Sequence, residues 1–144
     1  GGIPIGATLC KDSCNVFQPG DHASTYGGNP FVCAVALAVC QTLERENILA
    51  NVQARGEQLR AGLQHLAVKY PVISEVRGWG LITGLELQAD SKINAIDIVK
   101  AAMEAGLLLV PAGVKVVRFV PPLIVSAAEI DEALSILDRV LAAI

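Results

Sequence analysis

The chain has 144 residues, of which 53% are hydrophobic and 17% are charged, and its formal net charge is −3 at neutral pH. Its Lys and Arg residues are scattered along the sequence, which argues against a basic nucleic-acid-binding surface. No uncharged apolar stretch reaches the ~18 residues that a membrane span needs. The length predicts one domain or pieces of two. The high apolar and low charged fractions indicate surface that a partner or a missing region covers, and a large core rich in Ala, Val and Leu is the alternative.

The first third of the chain is predicted to contain a strand, a loop and a buried helix. Residues 3–10 form a short apolar run typical of a buried strand, and residues 11–28 are rich in Gly, Asp, Asn, Ser and Pro, which indicates a loop. Asn29 and Pro30 signal a helix start, because Asn caps free backbone N–H groups and Pro suits the first helical position. The helix should extend to about Glu46, and its apolar character on nearly every face predicts deep burial.

The remainder of the sequence alternates amphipathic helices with short apolar strands. The first of these helices should end before Pro71, because the residue that precedes a proline avoids the α region. The last should begin with a capping box at residues 126–129, in which two side chains bond each other's backbone N–H groups. This order predicts an α+β layer with helices on one face of a sheet. The predicted helices cover residues 49–68, 94–105 and those after 129, and the predicted strands cover residues 73–76, 81–87, 107–110 and 116–120.

The four cysteines are Cys10, Cys14, Cys33 and Cys40, and their spacings match no zinc template. We therefore expect no metal site. Cys33 and Cys40 lie in an apolar run, where a free thiol packs as a small apolar residue. Reduced packing cysteines, as in a cytosolic protein, are the favoured interpretation, and a disulfide between Cys10 and Cys14 stays open.

The loop at residues 22–30 has the features of an anion site. Ser24 and Thr25 carry adjacent hydroxyls just before Gly27 and Gly28, and a helix start follows. Glycines permit unusual backbone angles, and free N–H groups at a helix N-terminus favour negative charge. Because the loop has no Lys or Arg, it would not neutralise a phosphate by itself, and a simple capped turn is the alternative.

Arg118 is the second candidate for binding an anion. It lies inside residues 116–120, an otherwise apolar strand, where a charge is costly unless it is paired. A guanidinium group presents a planar fork that matches a carboxylate with two hydrogen bonds. The alternative is an edge-strand arginine that reaches solvent or an acidic residue of the chain.

Four segments of the sequence, in this order, resemble the class III aminotransferases of fold type I. They are Gly-Gly-Ile-Pro-Ile-Gly-Ala at residues 1–7, the loop at residues 22–30, Val-Arg-Gly-Trp-Gly-Leu at residues 76–81 and Val-Arg-Phe-Val-Pro-Pro-Leu at residues 117–123. The resemblance spans essentially the whole chain. Each segment is short, but the agreement of four in sequence makes chance an insufficient explanation.

The resemblance implies the C-terminal part of a fold type I pyridoxal-phosphate transferase, of mixed α/β and α+β class. Residues 1–71 would form the end of the cofactor-binding large domain with its connecting helices. Residues 72–144 would form the small C-terminal α+β domain. The implied protein is a homodimer with shared active sites, and we expect the apolar face of residues 30–46 to drive self-association.

The resemblance also implies roles for three residues. Thr25, with Ser24 as an adjacent contributor, would hydrogen-bond the phosphate of pyridoxal 5'-phosphate in the active site of the neighbouring subunit. Arg118 would hold the α-carboxylate of the amino-acid substrate. The lysine that attaches the cofactor in this family matches none of the five lysines here and would lie a few residues before Gly1.

The implied reaction transfers an amino group from N-acetylornithine, or a similar ω-amino acid, to 2-oxoglutarate in cytoplasmic arginine biosynthesis. Ornithine, succinylornithine and 4-aminobutyrate stay open as amino donors. We expect the chain to be a fragment that has no catalytic residue of its own and is inactive by itself. The competing hypothesis is a non-catalytic dimerisation or amino-acid-binding module without cofactor chemistry.

Overall fold

The computed structural model describes residues 2–144, so the first residue of the family-like segment at residues 1–7 lies outside the described residues. The chain divides into two compact units, Gly1–Glu46 and Asn47–Ile144. Among residues 2–144, none of the helices combines the length and the apolar character that a membrane crossing requires.

The first unit is largely irregular before its single α-helix. A short 3-10 helix covers Asp12–Cys14, within the predicted loop. The strand predicted over residues 3–10 is wrong, since no strand forms there. A strand needs a neighbour for its hydrogen bonds, and the four strands of the described chain pair only with one another.

Helix α1, Pro30–Arg45, begins where the sequence predicts. The Asn29 side chain accepts a hydrogen bond from the backbone N–H of Val32 at 3.1 Å, and Pro30 occupies the first helical position. The predicted deep burial is wrong, because no residue of α1 is buried; Phe31 is 68% exposed and Leu37 58%. Residues 2–46 contain no second α-helix and no sheet that could cover an apolar helix.

The cysteine prediction is confirmed in part. All four cysteines are free, so the alternative of a disulfide between Cys10 and Cys14 does not hold. The packing role predicted for Cys33 and Cys40 is wrong, because both thiols are on exposed residues of α1. Within residues 2–144, His, Cys, Asp and Glu form no cluster of three or more that could hold a metal ion.

The second unit is an antiparallel sheet whose helices pack on one face, as the sequence predicts. Its strand order is β1-β2-β4-β3. Leu63, Leu85 and Val117 have no exposed surface, and they lie between the sheet and the helices. The helices are α2 (Ile48–Lys69), α3 (Ala95–Glu104) and α4 (Ala127–Ala143), and the strands are β1 (Ile73–Trp79), β2 (Ile82–Leu87), β3 (Val110–Pro111) and β4 (Val116–Phe119).

All four strands differ from their predicted bounds: β2 and β4 are each one residue shorter, and β1 and β3 differ by more. Strand β1 continues to Trp79, whereas the sequence predicts its end at residue 76, before a Gly-x-Gly turn. The turn is tighter than expected, because Trp79 already pairs with Ile82 across it. Strand β3 is only Val110–Pro111, so the strand predicted over residues 107–110 is wrong for residues 107–109, which form no strand.

Helix α2 and the β1–β2 turn meet through glycine backbones. A Cβ atom on Gly56 would lie 2.3 Å from the carbonyl oxygen of Gly80, so no side chain fits at position 56. Gly80 has a φ of 55°, a conformation that favours glycine. The helix and the hairpin turn are therefore in direct backbone contact.

Helix α2 belongs to the second unit, which begins at Asn47. Its residues Leu59 and Leu63 are part of the same buried core as the sheet. The Asn51 side chain also donates hydrogen bonds to the carbonyl oxygens of Leu123 and Val125, at 2.9 and 3.0 Å. The division at residues 71 and 72 stays a prediction about the larger protein.

Candidate functional site

The loop before α1 is held in shape by three local hydrogen bonds. The backbone N–H of Gly27 donates to the Ser24 hydroxyl at 2.9 Å, and the Asn29 side chain donates to the Tyr26 carbonyl at 2.8 Å. The third is the helix cap from Asn29 to Val32. A Cβ on Gly27 would lie 2.7 Å from the Ser24 oxygen, so a larger residue there would have to displace the Ser24 hydroxyl.

The same loop presents hydrogen-bond donors that have no partner in the described chain. Thr25 is exposed, and its hydroxyl makes no hydrogen bond with any of residues 2–144. The backbone N–H groups of Thr25, Tyr26 and Gly28 also lack an acceptor there. Gly28 has a φ of 65°, which favours glycine, and it directs the chain into α1. Free donors beside a helix N-terminus are suited to an anion.

Ser24 lies at the edge of a surface depression of about 600 Å³ within the first unit. Its oxygen already accepts the Gly27 N–H, which leaves its own hydroxyl hydrogen free to donate. The lining of the depression is otherwise mostly glycine and apolar side chains: Pro4, Ile5, Gly6, Tyr26, Gly27, Gly28 and Val32.

The second unit has a candidate site of its own, on the sheet face that the helices leave open. Residues that are aligned across the strands share a face, and one such row joins Arg77 of β1, Gly84 of β2 and Arg118 of β4. The next row along the face contains Glu75 and Glu86. Two arginines therefore flank a glycine, and two acidic residues lie beside them.

Arg77 is already paired with the two acidic residues of this face. Its guanidinium contacts the carboxylate of Glu86 and that of Glu75, the latter at 2.8 Å. The hydrogen bonds that Arg77 donates, to Glu86 first and then to Glu75, raise the pKa of Arg77 above its usual value. The three side chains thus form one ion-pair cluster that satisfies Arg77 within the sheet.

Arg118 has no such partner. Its side chain is exposed on β4, between the buried residues Val117 and Phe119, and it forms no ion pair or hydrogen bond with the rest of residues 2–144. The alternative in which Arg118 pairs with an acidic residue of the chain is therefore wrong, because Glu75 and Glu86 bind Arg77. Two hypotheses remain for Arg118: that it reaches solvent, and that it binds the carboxylate of a ligand. Both require an exposed guanidinium, which the structure has.

The structure also shows what two of the five lysines do. Lys115 donates to the carbonyl oxygens of Ser91 and Ile93 and to the side-chain oxygen of Asn94, at 2.7–3.1 Å. Three acceptors satisfy an ammonium group completely. Lys69 donates to the Asp138 carboxylate at 2.7 Å. Both lysines therefore have partners within the second unit.

Gly84 and Glu86 are neighbours of Arg118 that the sequence analysis did not single out. An isolated glycine inside a strand pattern is a recognisable signal, since it marks a bulge or a close approach by another group. The ion-pair role of Glu86 had no comparable signal, because its partner was fixed only by the strand register.

The family model described as aminotransferase class-III matches residues 1–141 of the chain. Among curated proteins, the acetylornithine aminotransferase of Nostoc sp. is 70% identical over the whole chain, which covers 34% of that protein. The acetylornithine aminotransferase of Thermosynechococcus vestitus is 68% identical over 99% of the chain, which covers 35% of that protein. The chain thus spans about a third of the length of these relatives.

Solved structures give the same fold. Plasmodium falciparum ornithine delta-aminotransferase superposes on 94% of the chain with a TM-score of 0.85 and 32% identity, over 35% of its own length. The acetylornithine aminotransferase of Elizabethkingia anophelis covers 89% of the chain with a TM-score of 0.81 and 30% identity, over 32% of its own length. The mixed α and β architecture therefore matches these enzymes over part of their length.

Proposed function

Because this chain belongs to the class-III aminotransferase family, we propose that it is the C-terminal part of an enzyme that transfers an amino group from N-acetylornithine to 2-oxoglutarate. Two relatives at 70% and 68% identity are named acetylornithine aminotransferases, which supports this donor over ornithine, succinylornithine and 4-aminobutyrate. The proposal places the enzyme in arginine biosynthesis in the cytoplasm, as a homodimer.

The observation that carries the proposal is the unpaired guanidinium of Arg118. A charged side chain on an otherwise apolar strand, with no acidic partner in residues 2–144, is available for a ligand of opposite charge. Both the donor and the acceptor of the proposed reaction carry an α-carboxylate. Two parallel N–H···O hydrogen bonds from the fork would hold this carboxylate and fix the orientation of the α-carbon.

Enzymes of this family use pyridoxal 5'-phosphate, and the loop before α1 is suited to its phosphate. The free Thr25 hydroxyl, the Ser24 hydroxyl hydrogen and the unpartnered N–H groups beside them are the donors that a phosphate requires. When bound, the cofactor supplies a carbonyl for the substrate amine and an electron-accepting ring. Thr25 and Ser24 would bind its phosphate in the active site of the partner subunit.

The chain alone is not expected to catalyse the reaction. Lys69 and Lys115 have structural partners, and neither the loop nor the open sheet face contains a lysine. The lysine that attaches the cofactor, and the acid that faces the ring nitrogen, would belong to other parts of the enzyme. Amino transfer by the purified 144-residue chain alone would contradict this part of the proposal.

The proposal is tested by Arg118→Lys in the full-length enzyme. A lysine keeps the charge but loses the planar fork, so we expect the KM for N-acetylornithine to rise by about tenfold or more. Arg139→Lys is the matched control, because Arg139 is exposed on α4 and bonds only to Ser135. Wild-type kinetics for Arg118→Lys, with the control also unchanged, would remove the assigned role.

A further inference from the structure

The middle of β2 contains a glycine that the sheet itself does not require. Strand β2 is central, with β1 on one side and β4 on the other, and Gly84 pairs with a residue of each. Glycine weakens the interior of a strand, because it adds no side chain to pack and loses the most conformational freedom on folding. Some other demand is therefore expected at this position.

The backbone conformation at position 84 does not require a glycine. Gly78 and Gly80, in the neighbouring turn, have φ values of 155° and 55°, which other residues rarely adopt. Gly84 is not among the glycines with positive φ, so its backbone suits any residue.

Packing within the chain does not require glycine either. A Cβ on Gly84 would lie 3.2 Å from the Cγ1 atom of Val116 and 3.8 Å from the carbonyl oxygen of Arg77. The nearer contact is with the end of a half-buried valine, which can give by a few tenths of an ångström. Gly56 is different, since its Cβ would lie 2.3 Å from a backbone oxygen.

The position of Gly84 on the open face shows what the missing side chain leaves free. Arg118 is directly across one ladder from Gly84 and Arg77 is directly across the other. Cβ atoms at such opposed positions lie about 4.5–5.5 Å apart, so a side chain at position 84 would occupy the space beside the Arg118 side chain. Glycine leaves the space between the two arginine side chains free except for the Val116 methyl group at its edge, and Gly84 itself is partly exposed.

Only one of the two flanking arginines can use the gap to bind a ligand. Arg77 is bound to Glu75 and Glu86, whereas Arg118 has no acidic partner in the described chain. Both carboxylates of this face contact Arg77, whose single positive charge offsets one of their two negative charges, so Arg118 is the group of this face that is available to an incoming anion.

We propose that Gly84 is a specificity-determining residue: its missing side chain lets the carboxylate end of the substrate lie flat over β2 while the Arg118 fork holds it. The inference rests on the proposed carboxylate-binding role of Arg118. A fork and a carboxylate must be coplanar to form both hydrogen bonds. A side chain at position 84 would force the ligand out of this plane from one side.

The test uses three variants of the full-length enzyme: Gly84→Ala, Gly84→Val and the double variant Gly84→Ala with Val116→Ala. We expect Gly84→Val to raise the KM for N-acetylornithine by about tenfold or more, as for the loss of a charge-assisted hydrogen bond, and Gly84→Ala to raise it less. The double variant removes the 3.2 Å contact with Val116, so a defect caused by ligand exclusion should persist in it.

Binding of glutarate, measured by calorimetry, gives a readout that does not depend on catalysis. This dicarboxylate has no amino or keto group, and we expect its Kd to rise in Gly84→Val by a factor similar to that for KM. Val116→Ala alone serves as the control and should keep wild-type values. The melting temperature of each variant shows whether the sheet is intact.

The outcomes separate this inference from the proposed function. If wild type is active, Arg118→Lys is impaired and Gly84→Val keeps a KM and a glutarate Kd within twofold of wild type, the inference is wrong and the function stands. Recovery of the Gly84→Ala defect in the double variant would also overturn it, since packing would then be the cause. If wild type neither transfers amino groups nor binds glutarate, the function itself fails.

Discussion

The two units are both rich in apolar residues, yet they differ in what they bury. No described residue of the first unit is buried, including the residues of α1, which is more apolar than α2. Helix α2, of lower average hydrophobicity, buries five residues, because a sheet and a second helix face its apolar stripe. The hydrophobicity of a segment sets how much free energy its burial contributes. Whether the segment is buried depends on the helices and strands that pack against it. The first unit therefore has the character of a surface that needs a partner.

The difference in burial between the two units is tested most directly by truncating one leucine in each unit. Leu63→Ala removes a side chain with no exposed surface, and we expect it to lower the free energy of unfolding by about 2–5 kcal/mol. Leu37→Ala changes a residue that is 58% exposed on α1, and its effect should stay within about 0.5 kcal/mol. Urea denaturation of the 144-residue chain measures both. Equal losses would show that α1 is packed in solution.

The next change tests whether the first unit acts through its exposed donors. Thr25→Ala in the full-length enzyme should weaken the binding of pyridoxal 5'-phosphate by about 1.5–3 kcal/mol, as expected for one hydrogen bond to a charged group. Its stability without cofactor should not change, because Thr25 is exposed and has no partner in the described chain. Cofactor dissociation followed by absorbance measures the effect.

Thr42→Ala is the matched control for Thr25→Ala. It removes the same atoms from the same unit, at a residue of α1 whose hydroxyl bonds only to Arg45. An unchanged cofactor affinity in Thr25→Ala, or an equal loss in both variants, would contradict the assignment of Thr25.

A smaller change in stability is expected from removing the N-terminal cap of one helix in each unit. Ser126→Ala removes a capping box in which Glu129 N–H donates to the Ser126 hydroxyl at 3.2 Å and the Ser126 N–H donates to Glu129 at 2.7 Å. It should lower the free energy of unfolding by about 1 kcal/mol. Asn29→Ala should reduce the helix content of α1 and leave the unfolding of the second unit unchanged. Circular dichroism during denaturation distinguishes the loss of helix content in α1 from the loss of stability in the second unit. If Asn29→Ala also lowered the free energy of unfolding of the second unit, the two units would be shown to unfold together.

The smallest effect concerns the acid stability of the second unit. The pKa of Asp138 lies below its usual value because the Lys69 ammonium, and then the Tyr70 hydroxyl, donate to its carboxylate. A lowered folded-state pKa means that this stabilisation is present above the usual pKa of an aspartate and is lost as pH falls through the folded value. We therefore expect Asp138→Asn to reduce the fall in melting temperature between pH 5 and pH 3, relative to wild type. An unchanged pH profile would show that the pair contributes nothing.

The sequence predicted best the features that depend on a few adjacent residues. The bounds of α2 were predicted to within one residue, because Pro71 stops the helix and the apolar spacing defines its length. The caps at Asn29 and Ser126 were also predicted, since each is a local arrangement of one side chain and nearby N–H groups.

Features that depend on distant residues were predicted less well. The strand over residues 3–10 was wrong because a strand is completed only by its neighbour. The sequence also left open whether Arg118 is paired, since the answer depends on the register that brings Glu86 to Arg77. The family resemblance selected Thr25 and Arg118, and the structure shows both as exposed groups without partners in the described chain.

The contact between Gly56 and Gly80 has a consequence for how the second unit moves and varies. Since backbone meets backbone with no side chain between them, the tip of the β1–β2 hairpin cannot shift toward α2. Substitutions at position 56 therefore depend on the conformation of the β1–β2 turn. A methyl group on residue 56 fits only if the backbone at Gly80 first moves away from α2.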